Sequence, residues 1–422
     1  MAADSYSTWP SSSLLQRVKE KVKHFAQLSK DDVKFVVSPY RICPLGAHID
    51  HQGGSVMAMA INRGVVLGFV ASDDVTIKLE SSQFPGTTSF SLDSIPSGRL
   101  RIQPTGPAVN ELEVSAWGDY ARGAAFALKM KGYKLKKGIQ GYVEGPRGFD
   151  GGGLSSSAAV GVAYLLALEY VNDLQVSKEE NVELDRIIEN DYLGLKIGVL
   201  DQSAILFSEE HCLSLIHCKT RQYEIMPPRQ LDSESFKILI AFSGLRHALS
   251  SKPGYNLRVK ECQDAARVLL KFVGREWSDP LLSNVTSEEY SVYEGKLEGN
   301  LAKRAKHFFT ELERVSSGIE EWNRGDMEAF GELMSKSGQS SIDSYECGCE
   351  PLIQLRRILL DAPGVFGARF SGAGFRGCCV ALVATEKADA AAAYVDRMQS
   401  YKDNAYNPTV CTAFPDIGIV PA

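Results

Sequence analysis

Gly151-Gly152-Gly153-Leu154-Ser155-Ser156-Ser157-Ala158-Ala159 carries a glycine triplet through three serines directly into an apolar, helix-forming segment. Glycines let a backbone approach an anion with its N–H groups turned inward, and a helix start adds unpaired donors and the positive end of a dipole. Serine hydroxyls at that point can reach phosphate or a magnesium ion. The chain has no Gly-x-x-x-x-Gly-Lys-Ser/Thr pattern, so this is not the commonest cradle for a nucleoside triphosphate. A flexible glycine-serine turn is the plain alternative, and the rest of the chain decides between the two.

Residues 33–37, 65–71, 75–79 and 138–143 read as strands, the last of them delivering the chain into the loop. Residues 116–130 and 158–170 have helical periodicity, and the second of these helices is the one the loop caps. Near the start, Ser13 with Gln16 has the form of a capping box, ahead of Leu14, Val18, Val22 and Phe25 at helical spacing. Beyond the loop, residues 179–192 form a charged amphipathic helix and residues 203–207 have strand character. Residues 236–241 read as a buried strand, 256–274, 296–315 and 327–337 as helices, and 368–370 and 380–383 as strands. The alternation implies a mixed α and β class, and 422 residues at 44% hydrophobic content suffice for two cores. The passage around Pro227-Pro228 leads into a second domain, and the division is set near residue 215, giving 1–215 and 216–422. There is no internal repeat.

A formal net charge of −6 disfavours nucleic acid and anionic lipid as partners. Nine cysteines are scattered, and the Cys347-Gly348-Cys349 and Cys378-Cys379 pairs are too close for a structural zinc site. Reduced thiols in a cytoplasmic enzyme are the expectation. The polar Met1 to Ser13 stretch lacks the apolar core of a signal peptide, and no apolar run reaches membrane-spanning length. No obligate protein partner is indicated.

Three further segments carry chemistry. Ser38-Pro39-Tyr40-Arg41-Ile42-Cys43-Pro44-Leu45-Gly46-Ala47-His48-Ile49-Asp50-His51 gathers an arginine, two histidines and a carboxylate into one irregular stretch after a strand. Gly198-Val199-Leu200-Asp201-Gln202 puts a carboxylate just past a helix, and Ser371-Gly372-Ala373-Gly374-Phe375-Arg376-Gly377-Cys378 is a second glycine-rich loop.

In content and in order these segments resemble the GHMP small-molecule kinases, specifically their galactokinase branch. Residues 40–51 are similar to its sugar signature, 151–159 to its phosphate loop, 198–202 to its Gly-Ile-Met-Asp-Gln segment and 372–378 to its last glycine loop. Tyr255-Asn256-Leu257-Arg258 with Glu261-Cys262 is similar to a fifth stretch. The resemblance implies an N-terminal α/β domain, a C-terminal ferredoxin-like α+β domain and a site between them for ATP, Mg2+ and a sugar. It gives Asp201 the place of the carboxylate facing the anomeric hydroxyl, as base or as orienting charge, and Arg41 the place of the arginine beside it. Both make sense where positioning and charge neutralisation drive phosphoryl transfer; a surface ion pair is the alternative. Gly151, Gly152, Gly153, Leu154, Ser155, Ser156, Ser157 and Ala158 would hold the phosphates, with Trp117 and Tyr120 near adenine unless they merely pack the core. Glu189, twelve positions before Asp201, and Ser157 would hold magnesium, which takes few protein ligands; a solvated helix face is the alternative for Glu189. His48, Asp50, Gly198 and Tyr255 would line the sugar pocket, a better reading than metal for the His-x-x-His spacing. The remaining histidines read as ordinary core or surface residues.

The sharpest departure is Ala47, where the signature has a glutamate facing the C6 end of the sugar. Losing that carboxylate weakens galactose binding and removes a charge that would repel a C6 carboxylate. Arg376 stands where the last loop has glycine and adds a cation. Both changes favour an acidic sugar, so the expected reaction is ATP-dependent phosphorylation of D-galacturonate at C1. Galactokinase activity, another sugar 1-kinase activity, or a sugar and nucleotide sensor without catalysis are the alternatives. Retention of Ser157-Ala158, Arg41 and Asp201 disfavours the sensor.

Overall fold

The computed structural model describes residues 9–27, 32–96, 112–146, 152–228, 235–245, 254–399, 409–411 and 418–420. Residues 1–8 of the N-terminal stretch and Gly151 of the loop lie outside them. Strands β1 (Lys34–Leu45) and β2 (Ser55–Ala71) form the centre of a sheet that also takes β3 (Thr76–Ser81), β4 (Thr87–Ser91), β5 (Ile139–Glu144), β6 (Leu213–His217) and β7 (Gln222–Met226). All its pairings are antiparallel except β3 with β5. Nearly every residue of β1 and β2 is buried, because helices cover both faces, which is why these strands read as continuous apolar runs.

On one face, α1 (Ser12–Ala26) sets Val18 and Val22 against Phe35, Val66 and Tyr142. Its cap is Ser11, whose hydroxyl accepts from the Leu14 N–H at 3.2 Å, while Gln16 turns to Glu20. The helix thus starts ahead of the expected Ser13 box, since an earlier serine already satisfies the first free donor. On the other face lie α2 (Leu112–Met130), α3 (Ser156–Val171), α4 (Lys178–Arg186) and α5 (Leu200–Phe207). Residues 203–207 are therefore helical rather than strand-like. Leu200, Gln202, Ser203, Ala204, Ile205 and Leu206 are all buried, so α5 has no polar face to reveal its period.

The second sheet is antiparallel, with β8 (Phe236–Phe242), β9 (Val365–Phe370), β10 (Cys378–Ala384) and β11 (Thr409–Cys411) in the order β11-β8-β10-β9. That is the ferredoxin-like order. Between β8 and β9 run α6 (Gly254–Phe272), α7 (Ser287–Tyr293), α8 (Gly299–Arg324), α9 (Met327–Asp343) and α10 (Glu350–Leu360), and α11 (Ala388–Gln399) joins β10 to β11. A last strand, β12 (Gly418–Val420), returns to the first sheet beside Phe35–Val37.

Residue 215 falls inside β6, and the first sheet continues to Met226 before taking back β12. We therefore propose the division between Met226 and Phe236, with the C-terminal strand belonging to the first unit. Long-range pairing of that kind leaves no local mark in composition. Trp322, fully buried on α8, ties the two units by donating its indole N–H to the Met226 carbonyl at 3.0 Å.

Candidate active site

The stretch expected to be irregular after a strand is largely strand. Residues 38–45 continue β1, with register shifts at Pro39/Tyr40 and Ile42/Leu45; such bulges re-aim side chains. Arg41, between them, is 3% exposed. Its Nε and Nη2 both fall on Oδ1 of Asp201, at 2.8 and 2.7 Å, and its Nη1 reaches the Gly153 carbonyl at 3.4 Å. Burial opposes the arginine's charge, but the Asp201 carboxylate outweighs it and holds the guanidinium above its ordinary range. Asp201 sits in the first turn of α5, where the helix end favours an anion. Among the described residues its Oδ2 makes no hydrogen bond, and the side chain is 23% exposed. The pair is not a surface ion pair; it lies in a cleft of about 670 Å3 lined by both units.

Two glycine loops meet in that cleft. Gly152 and Gly153 have φ of +82 and +98, followed by Ser155 at +57 before α3 begins at Ser156. A Cβ at Gly153 would stand 2.9 Å from the Cys378 sulfur, and one at Gly372 would stand 2.7 Å from the Gly153 Cα. Only glycine permits both this backbone curvature and this approach. Leu154 is buried and accepts from the Arg41 N–H at 3.3 Å, Ala158 is buried in α3, and Ser156 lines the cleft. The Ser155 hydroxyl is buried and has no hydrogen-bond partner among the described residues, as a cradle built for an external anion would leave it.

Ser157, Glu189 and Tyr120 line the cleft together. Glu189 is 2% exposed and stands in a π-type turn, Ile187–Tyr192, that extends α4, so it is not on a solvated helix face. Burial, reinforced by Asp201, pushes its carboxyl up to about 7. Asp185, fully buried nearby, has no hydrogen bond to either carboxyl oxygen among the described residues, and burial with Glu189 and Asp201 pushes it well up too. An excess of buried carboxylate beside a hydroxyl and a glycine loop fits a divalent cation that brings phosphate oxygens with it. Among the described residues no three His, Cys, Asp or Glu side chains gather to hold a metal by themselves.

Ala47, His48, Asp50, Gly198 and Tyr255 line the other end of the cleft. A side chain at Gly198 would overlap the Asp50 carboxylate, which accepts from the Leu200 N–H at the start of α5 at 3.4 Å. His48 stacks on Tyr345 with ring centroids 4.3 Å apart, and burial lowers its basicity well below the ordinary range, so its ring is neutral. The backbone here is pinned from the second unit. Glu311 accepts from the Gly46 N–H at 2.9 Å, His307 Nε2 meets the Ala47 carbonyl at 3.0 Å, and Arg369 donates to the Pro44 carbonyl at 3.4 Å.

Burial, reinforced by Asp201, pushes the Asp50 carboxyl from 3.8 up to about 6. Its native form holds the proton more tightly than the unfolded chain does, so sugar-free protein loses stability as pH rises from about 4 to about 6, by about 3 kcal/mol. Asp50→Asn is expected to match wild type near pH 4 and to melt at a higher temperature at pH 7. A melting-temperature difference that stays flat across a pH series would contradict this.

Arg376 is on the phosphate-loop side of the cleft. A Cβ at Gly152 would lie 2.7 Å from its Nη1. Trp117, at the far end, is 7% exposed and lies parallel to Phe84, centroids 6.4 Å apart. Phe84, on the loop between β3 and β4, was not signalled by any motif, nor were Asp185, His307, Glu311, Arg369 and Tyr345, which come from isolated positions. The expectation that His307 is an ordinary core residue understates its hold on the Ala47 carbonyl. Among the described residues no helix is long and apolar enough to cross a membrane.

Comparison with known proteins places the chain in a family. Residues 119–209 match the GHMP kinases N terminal domain, residues 317–400 the GHMP kinases C terminal domain, and residues 23–69 the galactokinase galactose-binding signature. The chain is 55% identical over 390 residues to the galacturonokinase of Arabidopsis thaliana, covering 92% of each. It is 32% identical over 377 residues to a galactokinase of Clostridium perfringens, covering 89% of this chain and 91% of the relative. The crystal structure of Lactococcus lactis galactokinase complexed with galactose superposes with a TM-score of 0.81 at 29% identity, over 97% of this chain and 100% of that one.

Proposed function

The chain belongs to the GHMP kinases, in their galactokinase branch, and from that premise we propose that it transfers the γ-phosphoryl group of ATP to the anomeric hydroxyl of D-galacturonate. The observation that carries the reading is the Arg41 guanidinium, which spans Asp201 and the glycine-loop carbonyl of Gly153. It joins the group that receives a proton to the loop that holds phosphate. A sugar between Asp50, His48 and Tyr255 would direct its C1 hydroxyl at the unengaged Oδ2 of Asp201. Asp201 takes the hydroxyl proton, the C1 oxygen bonds to the γ-phosphorus, and the bond to the ADP oxygen breaks. Arg41 offsets the charge that develops on the transferring group, in a partly desolvated site where such compensation is strongest.

Glu189 and Ser157 would hold Mg2+, which supplies charge neutralisation to the phosphates. The N–H groups at the start of α3 and the Ser155 hydroxyl would grip phosphate oxygens. Trp117 and Phe84 offer the adenine ring two parallel aromatic faces. Ala47 leaves the C6 end without a carboxylate, which suits a uronic acid and agrees with the galacturonokinase relative. The nine cysteines are all free thiols, in keeping with a reducing compartment such as the cytosol.

The test is ADP release with MgATP and D-galacturonate, D-galactose or D-glucuronate at equal concentration. Turnover with galacturonate should exceed that with galactose by at least an order of magnitude. Preference for galactose would overturn the substrate assignment, and binding of nucleotide without turnover would favour a sensor.

A further inference from the structure

Residues 151–159 contain no lysine or arginine, and Arg147, just ahead of them, lies outside the described residues. Arg41, the first unit's arginine among the described residues lining the cleft, places two of its three nitrogens on Asp201. The second unit supplies a further cation. A Cβ at Gly152 would stand 2.7 Å from Nη1, 3.3 Å from Cζ and 3.4 Å from Nη2 of Arg376, so the whole guanidinium lies over that glycine. The adjoining residue seats the turn, since a Cβ at Gly377 would lie 2.7 Å from the Gly152 carbonyl oxygen. Burial pushes the Arg376 guanidinium below its ordinary range, partly offset by Tyr120, and Tyr120 lines the cleft together with Ser157 and Glu189. These neighbours belong to the phosphate end of the cleft, and a desolvated guanidinium there has most to gain from an anionic partner.

Resting on the kinase reading above, we propose that Arg376 grips the polyphosphate of the nucleotide from the second unit, rather than reading the carboxylate of the sugar. Its function is the one a lysine serves in other phosphate loops, delivered here across the boundary between the two sheets. Nucleotide binding thereby gains a contact from the Ser371–Cys378 loop, which already packs on the first unit, and the 6-carboxylate of the sugar is admitted by the absence of charge at Ala47.

The experiment is equilibrium binding of ATP, ADP, AMP and, separately, D-galacturonate to wild type, Arg376→Gly, Arg376→Lys and Arg376→Gln, by titration calorimetry without turnover. A charge-assisted contact to phosphate corresponds to roughly 10- to 100-fold in affinity. Arg376→Gly and Arg376→Gln should weaken ATP and ADP by that factor, with AMP and galacturonate changed less than about threefold and Arg376→Lys intermediate. Weaker galacturonate binding with ATP unchanged would overturn the proposal in favour of a sugar contact. Unchanged affinity for every ligand would leave Arg376 as packing and overturn it as well. Wild type that binds no nucleotide would instead defeat the kinase reading itself. Should the glycine variant fail to fold, the lysine and glutamine variants give the same comparison.

Discussion

Asp201→Asn is expected to lower kcat for galacturonate by about 1,000-fold, within the range a positioned acid or base contributes, while KM for ATP changes less than about threefold. Asparagine keeps the shape of the side chain and can still accept from Arg41 through one oxygen, so the site should remain assembled. What it loses is the ability to take the proton of the anomeric hydroxyl. Both nitrogens of Arg41 fall on Oδ1, which leaves Oδ2 open toward the cleft as the proton acceptor. If Asp201 only oriented the sugar, asparagine would do nearly as well, and the loss would stay within about tenfold. The measurement is a steady-state comparison of kcat, and of KM for both substrates, in wild type and Asp201→Asn.

Ala47→Glu should reverse the choice of sugar. Two like charges about 4 Å apart at an effective dielectric near 20 repel by roughly 4 kcal/mol, or about three decades in affinity. Galacturonate kcat/KM should therefore fall by about 1,000-fold, and galactose, which gains an acceptor for its C6 hydroxyl, should improve. The backbone at Ala47 is fixed by His307 and that of its neighbour Gly46 by Glu311, so the new side chain has little freedom to withdraw by moving the main chain. Ala47→Gln, which has the bulk without the charge, is the control. If glutamine is as damaging as glutamate, the effect is steric and the charge account of specificity is wrong.

The fold and much of the site were legible because their signals are contiguous. The glycine loop needs glycines and serines in sequence, and β1 with its following turn carries Arg41, Ala47, His48 and Asp50 within ten residues. A helix with a wet face, such as α1 or α8, announces its period; α5 is buried from Gln202 to Leu206 and does not, so residues 203–207 passed for a strand. The cap of α1 was misplaced because Ser11 and Ser13 are equally eligible by residue type, and only the path of the chain selects the first. Distance in sequence hid the rest. His307, Glu311 and Arg369 act on Pro44, Gly46 and Ala47 from the other sheet, and no local pattern links them. Arg376 was legible as an unusual residue, but its direction depends on how two loops meet.

The most direct test of the central claim is the position of the phosphate in the product. Wild-type protein with MgATP and D-galacturonate should yield one phosphorylated sugar whose phosphorus couples to H1 in a proton–phosphorus NMR correlation, in step with ADP release. Phosphorus coupled to any other ring proton, or no phosphorylated sugar while nucleotide and galacturonate both bind, would contradict an account in which Asp201 and Arg41 activate the anomeric hydroxyl.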